Sequence, residues 1–293
     1  MKNLLGFYGS NRCQNEEPFP TLYKKRVVFL VVLSMLQFTA TGQSNHETRT
    51  RQSSQDSLYD IVRYQKTVVT EDSTWTENGE RRIPKKRVIF KKGRVYTYNA
   101  TYLNPEGEVL SSNRVKVVST GERWEGQPEK QDRIVYEFPD YAEDSNELWD
   151  HAINLELQNW TDSQSEGVIE NAEQVWMHPI RVNQYKFTQV APYPDVRLPL
   201  EKGKKWESSA HIFNGWGEWN HLRTTSEYEV LSKSNYELNS TRIDCWVVES
   251  TLKSSIGKSA LTTLFNEKYG FVKMVYRNYE DEELIFELIE VKY

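Results

Sequence analysis

In RVYTYNATYLNPEGEVL, Tyr96, Tyr98, Ala100 and Tyr102 fall on every second residue, and the run breaks at a turn built around Gly107. Period-two alternation marks a strand with one buried face, and a glycine-bearing break between two such runs marks a hairpin. The pattern recurs along the chain. YDIVRYQKTVV, RVKVV and RIVYEF carry it in the first half, and SEYEVL, IDCWVVESTL, ALTTLF, GFVKMVY and LIFELIEVKY carry it in the second. Gly79, Gly93 and Gly107, in ENGE, KKGR and NPEGE, are predicted turns, as are SSIGKS and RNYEDEE. IDCWVVES is apolar at both alternating sets between Cys245 and Val248, which predicts a strand covered on both faces. Three prolines in APYPDVRLPL remove ladder donors and predict an extended crossing segment. Helical periodicity is nowhere sustained. The nearest approach is DSNELWDHAINLELQNW, where Asp144 and Glu147 form a capping box while Ile153, Leu155 and Leu157 alternate with polar residues, so a helical turn followed by a strand is predicted. The fold class that follows is all-β and mostly antiparallel, a sandwich or a strongly curved half-barrel with at most one or two short helical turns.

A different signal occupies the start of the chain. Lys24, Lys25 and Arg26 precede the apolar run VVFLVVLSMLQF, and TATGQ follows, the order of a secretory signal with Ala40 and Gly42 at the small-residue positions. The expected organisation is a leader and signal peptide over 1–42, a flexible polar linker over 43–57, and a β domain over 58–293, with a division into lobes at 58–140 and 168–293 left open. The leader before Lys24 is long and contains Glu16 and Glu17, which favours a start downstream of Met1. An apolar run of about a dozen residues falls short of the ~20 that cross a bilayer, so no membrane span is expected in the mature chain. No cysteine follows the run, which argues against a lipid anchor of the bacterial kind.

Charge narrows the partners. Of the 37 Lys and Arg and 42 Asp and Glu, the leader holds five and two, which leaves 32 against 40, a balance of −8. Such a surface does not invite nucleic acid. Cys245 alone lies beyond the leader, so an internal disulfide is not expected, and its apolar strand predicts a buried, inert thiol. The aromatic fraction of 13% predicts a core that leans on Trp, Tyr and Phe.

The catalytic motifs fail on inspection. Gly257-Lys258-Ser259 resembles the end of a P-loop, but Leu252 stands where the first glycine belongs. There is no Gly-x-Ser-x-Gly elbow. The five histidines, His46, His151, His178, His211 and His221, show no metal-ligand spacing, and the acidic run Glu280 to Glu283 lacks the alternation of a calcium loop, so it is expected to be a solvated turn. Asn99, Asn159 and Asn239 begin sequons that matter only in a eukaryotic secretory pathway. No catalytic residue, metal site or cofactor is therefore expected.

HIFNGWGEWNH, from His211 to His221, is the one segment with the look of a site. A strand ending near Phe213 and a turn through Asn214, Gly215 and Gly217 put Trp216 near the tip, where a large aromatic is hardest to bury. Trp216, Trp219 and His211 are the candidate ligand-binding residues; Trp206 and Phe213 are the expected core anchors of the same turn. The function these features suggest is a non-catalytic exported protein of the envelope or medium that binds an apolar or glycan ligand, or an envelope protein, on an aromatic-rich face. The alternatives are a structural or assembly factor without a small ligand and, behind it, a hydrolase with dispersed carboxylates.

PYPDVRLPLEKGKKW, the Trp-Gly-Glu-Trp segment, IDCWVVES, and FNEKYGFVKMVYRN followed by FELIEV resemble exported β-proteins of Gram-negative bacteria, distantly similar to the TapB-like proteins. The resemblance covers about 175–291. Its motifs are structural, a turn at Gly203 to Trp206 and a hairpin at Tyr269 to Val272. It implies a β fold and a periplasmic or secreted location, and it implies no reaction.

Overall fold

The computed structural model describes residues 58–69, 74–127, 131–140, 160–213, 216 and 221–293. The expected leader, signal peptide and linker, the turn and strand of 144–157, and Trp219 lie outside the described residues.

A short ribbon comes first: β1 (Tyr59–Val69) and β2 (Thr74–Pro84) pair antiparallel as a separate two-stranded sheet. Among the described residues, twelve further strands make one antiparallel sheet. They are β3 (Val95–Leu103), β4 (Val109–Arg123), β5 (Asp132–Glu137), β6 (Ser163–Glu170), β7 (Gln174–Met177), β8 (Asp195–Arg197), β9 (Lys205–Ile212), β10 (Leu222–Leu238), β11 (Thr241–Lys253), β12 (Lys258–Asn266), β13 (Gly270–Arg277) and β14 (Glu283–Lys292). In space the order is β8-β7-β6-β5-β4-β3-β14-β13-β12-β11-β10-β9. The sheet is strongly curved and nearly closed, and among the described residues β8 and β9 are its two free margins. Because β5 pairs with β6 and β3 with β14, one ladder runs through both halves of the sequence.

Alternation decides which residues face inward. Tyr96, Tyr98, Ala100 and Tyr102 on β3 are all buried, as their period requires. Beside them, Val115 and Val117, Ile134 and Tyr136, and Leu284, Phe286 and Leu288 line the same interior. The interior is closed by a 3₁₀ helix, Asn183–Val190, that the chain inserts between β7 and β8. Its Tyr185 stacks on Phe138 at 5.7 Å and its Phe187 stacks on Tyr102 at 6.3 Å, with Phe286 and Tyr276 packed edgewise or tilted beside them. What remains between Tyr98, Tyr136, Met177 and Phe286 is a void of about 20 Å3, enough for roughly one water molecule. Around these side chains the interior is packed.

Several expectations are corrected. Gly79 is not a turn; it lies inside β2 opposite Tyr64. β11 is not covered by a second layer: Cys245 and Val248 are buried, whereas Trp246 and Val247 are half-buried, and Lys233 lies over the Trp246 ring at 4.7 Å. The acidic turn is not wholly solvated, because Glu282 folds inward to accept hydrogen bonds from Tyr102 and from Asn278 Nδ2 at 2.8 Å. Gly93 and Gly107 do occupy turns, with φ of 81° and 84° that L side chains rarely adopt. Cys245 is buried and free, and burial pushes its thiol up to about 11.

A buried ion cluster fixes the base of the ribbon. Lys85 Nζ lies 3.4 Å from Asp60 Oδ1 and 2.9 Å from Asp132 Oδ1, all three side chains being largely out of water. Asn171 Nδ2 donates to Asp60 Oδ2 at 2.6 Å, and Arg81 pairs with Glu173 at 2.9 Å. On the neighbouring loop, Glu170 accepts the backbone N–H groups of Val88, Ile89 and Phe90 at 2.7–2.8 Å, while Arg94 Nη1 donates to the Val88 and Ile89 carbonyls. These bonds hold the ribbon base against β5, β6 and β7.

Candidate ligand-binding site

The two free margins do not meet edge to edge. Between them lies a cleft of about 520 Å3, lined on one side by Thr224, Ser226 and Tyr228 from the core-facing side of β10. On the other side stand Trp176 and His178, from the face of β7 and its extension that points away from the core. Val175 and Met177, the intervening residues, are buried in that core. The margins therefore overlap, and the ribbon base supplies the remaining wall through Asp60, Val62, Arg81 and Ile83. The volume falls within the ~300–1,000 Å3 of small-ligand sites.

Three aromatic rings form one wall. His178 lies 5.7 Å from Trp176 and 5.4 Å from Tyr193, and Trp176 lies 6.0 Å from Tyr193. Trp176, His178 and Tyr193 are each half-buried. Indole N–H and phenol O–H groups normally find partners when buried. Here the Trp176 Nε1, the Tyr193 hydroxyl and the His178 Nε2 have no hydrogen-bond partner among the described residues, and none of the three is shut away from solvent. All three residues line the cleft.

The histidine is held from behind. Its Nδ1 sits 3.0 Å from the Pro179 carbonyl oxygen and 3.1 Å from Glu166 Oε2. A carbonyl only accepts, so Nδ1 carries the proton and Nε2 is left as an acceptor. Burial drives the imidazole down to about 4, so the ring is neutral near pH 7. Glu166 is itself buried, and desolvation pushes it up to about 7 against the opposing pull of Arg181, whose Nε donates to Oε1 at 2.6 Å. The β6–β7 register makes this pair: Val168 faces Met177, and the His178 N–H donates to the Gly167 carbonyl, next to Glu166.

The charged groups around the cleft are compensated. Arg197 Nη2 pairs with Asp195 at 3.2 Å, Arg81 with Glu173 and Asp60 with Lys85. Arg197 Nε, by contrast, is buried without a partner. Among the described residues no group of three or more His, Cys, Asp or Glu could hold a metal ion. No described helix is long and apolar enough to cross a membrane.

The residues singled out by sequence separate here. His211 is exposed and lines the cleft, with its ring 4.2 Å from Phe213 and 5.9 Å from His221. Trp216 does the opposite of what its place at a turn suggests. It is fully buried, its Nε1 donates to Gln189 Oε1 at 2.9 Å, and Lys186 lies over its ring, so it caps the 3₁₀ helix and offers no face to a ligand. Phe213, expected inside, is 62% exposed. Trp206 is half-buried and stacks on its cross-strand partner Tyr228 at 5.2 Å. Trp176, Tyr193 and the Glu166–His178 pair are not among the residues that the sequence singles out. The signal for two of them is present in QVWMHP, where Trp176 and His178 alternate with the core residues Val175 and Met177.

No family model matches the chain, and no curated protein matches it in sequence. Among solved structures it is similar to an inferred lipoprotein of Parabacteroides distasonis, at 11% identity and a TM-score of 0.41, over 71% of this chain and 99% of that one. It is similar to an inferred exported protein with a YmcC-like fold from Bacteroides fragilis, at 11% identity and a TM-score of 0.42, over 69% and 97% of the two chains. The hypothetical lipoprotein YmcC of Escherichia coli matches at 10% identity and a TM-score of 0.31, over 67% and 83%.

Proposed function

We propose that this is an exported, non-catalytic β-protein that binds a polar ligand in the cleft between the margins of its sheet. The observation that carries the reading is the contrast between a filled interior and a cleft where Trp176, Tyr193 and His178 present unpartnered polar tips. An acyl chain in the cleft would leave those groups without water or partner, at about 1–3 kcal/mol for each one buried. Export rests on the basic, apolar and small-residue order from Lys24 to Gly42. The TapB-like resemblance stays within this reading, because it speaks to fold and compartment alone.

Covalent catalysis of the Ser–His kind is disfavoured by what surrounds the histidine. It needs a side-chain nucleophile within hydrogen-bond reach of the base, and His178 Nε2 has no hydroxyl partner among the described residues. The packed interior is the observation that favours a purely structural role. The test is to purify the protein from its native host, denature it, and partition what is released between water and an organic phase. The polar-ligand reading expects the bound material in the aqueous phase. Acyl material in the organic phase contradicts it, and the absence of any bound material favours the structural role.

A further inference from the structure

The groups on the cleft wall restrict what kind of polar molecule fits. The charges that line it are paired within the protein, Arg81 with Glu173, Arg197 with Asp195 and Asp60 with Lys85, so no bare charge calls for an ionic ligand. The three rings are tilted to one another by 46°, 52° and 86°, which leaves no parallel slot to sandwich a flat aromatic. The polar tips are of both kinds: Trp176 Nε1 donates, His178 Nε2 accepts, and the Tyr193 hydroxyl does either. Ser208, Ser226 and Gln127 add further hydroxyl and amide groups.

A neutral ring with one C–H face and a rim of hydroxyls answers all three restrictions. The apolar face needs a single aromatic surface. Each hydroxyl both donates and accepts, so it can serve a mixed set of tips. Resting on the polar-ligand reading above, we infer that the ligand is a neutral saccharide whose ring packs on the Trp176–Tyr193 wall while one of its hydroxyls donates to Nε2 of His178. The Pro179 carbonyl, which can only accept, fixes the tautomer that leaves Nε2 free to accept.

The test is acid hydrolysis and monosaccharide analysis of the aqueous material released from the full chain purified from its host, beside the variants Tyr193→Phe and Trp176→Ala. Wild type is expected to yield neutral sugar in proportion to protein. Loss of one hydrogen bond in Tyr193→Phe weakens binding about 3–10-fold, with a matching drop in retained sugar, and Trp176→Ala retains none. Tyr193→Phe removes an oxygen that no described residue bonds, so it keeps the test alive where Trp176→Ala fails to fold. Aqueous material that contains no sugar overturns the saccharide and leaves the polar-ligand reading standing. A charged sugar overturns the neutral assignment, sugar undiminished in both variants places the binding elsewhere, and no released material at all removes both proposals.

Discussion

His178 Nδ1 and Glu166 Oε2 lie 3.1 Å apart, yet the pair is not an ion pair near neutral pH, because burial holds the imidazole down to about 4 and the carboxyl up to about 7. In the folded chain Glu166 therefore keeps its proton through the range in which, unfolded, it would have lost it near 4.5. His178 stays bare through the range in which, unfolded, it would have gained one below 6.5. Between those limits each state holds one proton on the pair, on Glu166 when folded and on His178 when unfolded. The pair adds almost no pH dependence there.

Single substitutions should expose the two opposing halves. With Glu166→Gln, His178 alone titrates, the unfolded state binds the extra proton between pH 4 and 6.5, and stability relative to wild type should rise with pH across that window. With His178→Gln, Glu166 alone titrates, the folded state binds the extra proton between pH 4.5 and 7, and relative stability should fall as pH rises. Each slope is bounded by one proton, about 1.4 kcal/mol per pH unit. Urea unfolding of both variants from pH 4.5 to 7 checks this, and slopes of the same sign would count against the assignment.

Trp216 and Phe213 exchange the roles that their positions suggest. Trp216→Ala removes a fully buried indole and its bond to Gln189, and should cost about 3–5 kcal/mol. Phe213→Ala removes a ring that is mostly in water, and should cost below about 1 kcal/mol. Thermal melts of the two variants measure the difference, and equal losses would be incompatible with the burial described.

At the foot of the ribbon Lys85 pairs with the buried Asp60 and shares Asp132 with Arg87, whose Nη2 lies 3.3 Å from it. Lys85→Met should therefore leave Asp60 and Asp132 facing each other with a deficit of charge, at about 3–5 kcal/mol. Adding Asp60→Asn and Asp132→Asn to the same variant should recover much of that loss. Chemical denaturation of the single and triple variants distinguishes charge imbalance from lost packing, since packing loss alone would not be recovered.

The strands were legible because their residues repeat locally. Tyr96, Tyr98, Ala100 and Tyr102 declare a buried face without reference to the rest of the chain, and Gly93 and Gly107 declare turns that need positive φ. Gly79 misleads because a lone glycine inside a strand and one at a turn look alike until the pairing of β1 with β2 is known. The site was less legible for the same reason on a larger scale. Trp216 is buried by a helix that carries Gln189, 27 residues earlier, and nothing in HIFNGWGEWNH announces that cover. Glu166 meets His178 because the β6–β7 register sets them side by side, and the cleft exists because two distant margins overlap. QVWMHP shows that Trp176 and His178 share a face. It does not show that the face looks into a cleft.

Ala210 lines that cleft opposite Thr224 on the β9 margin, so Ala210→Trp should fill the space without entering the packed interior. Native mass spectrometry of the wild-type and Ala210→Trp proteins, both purified from the native host, tests the central claim most directly. The account predicts added mass on the wild type and bare protein for the folded variant. The same added mass on both would contradict it.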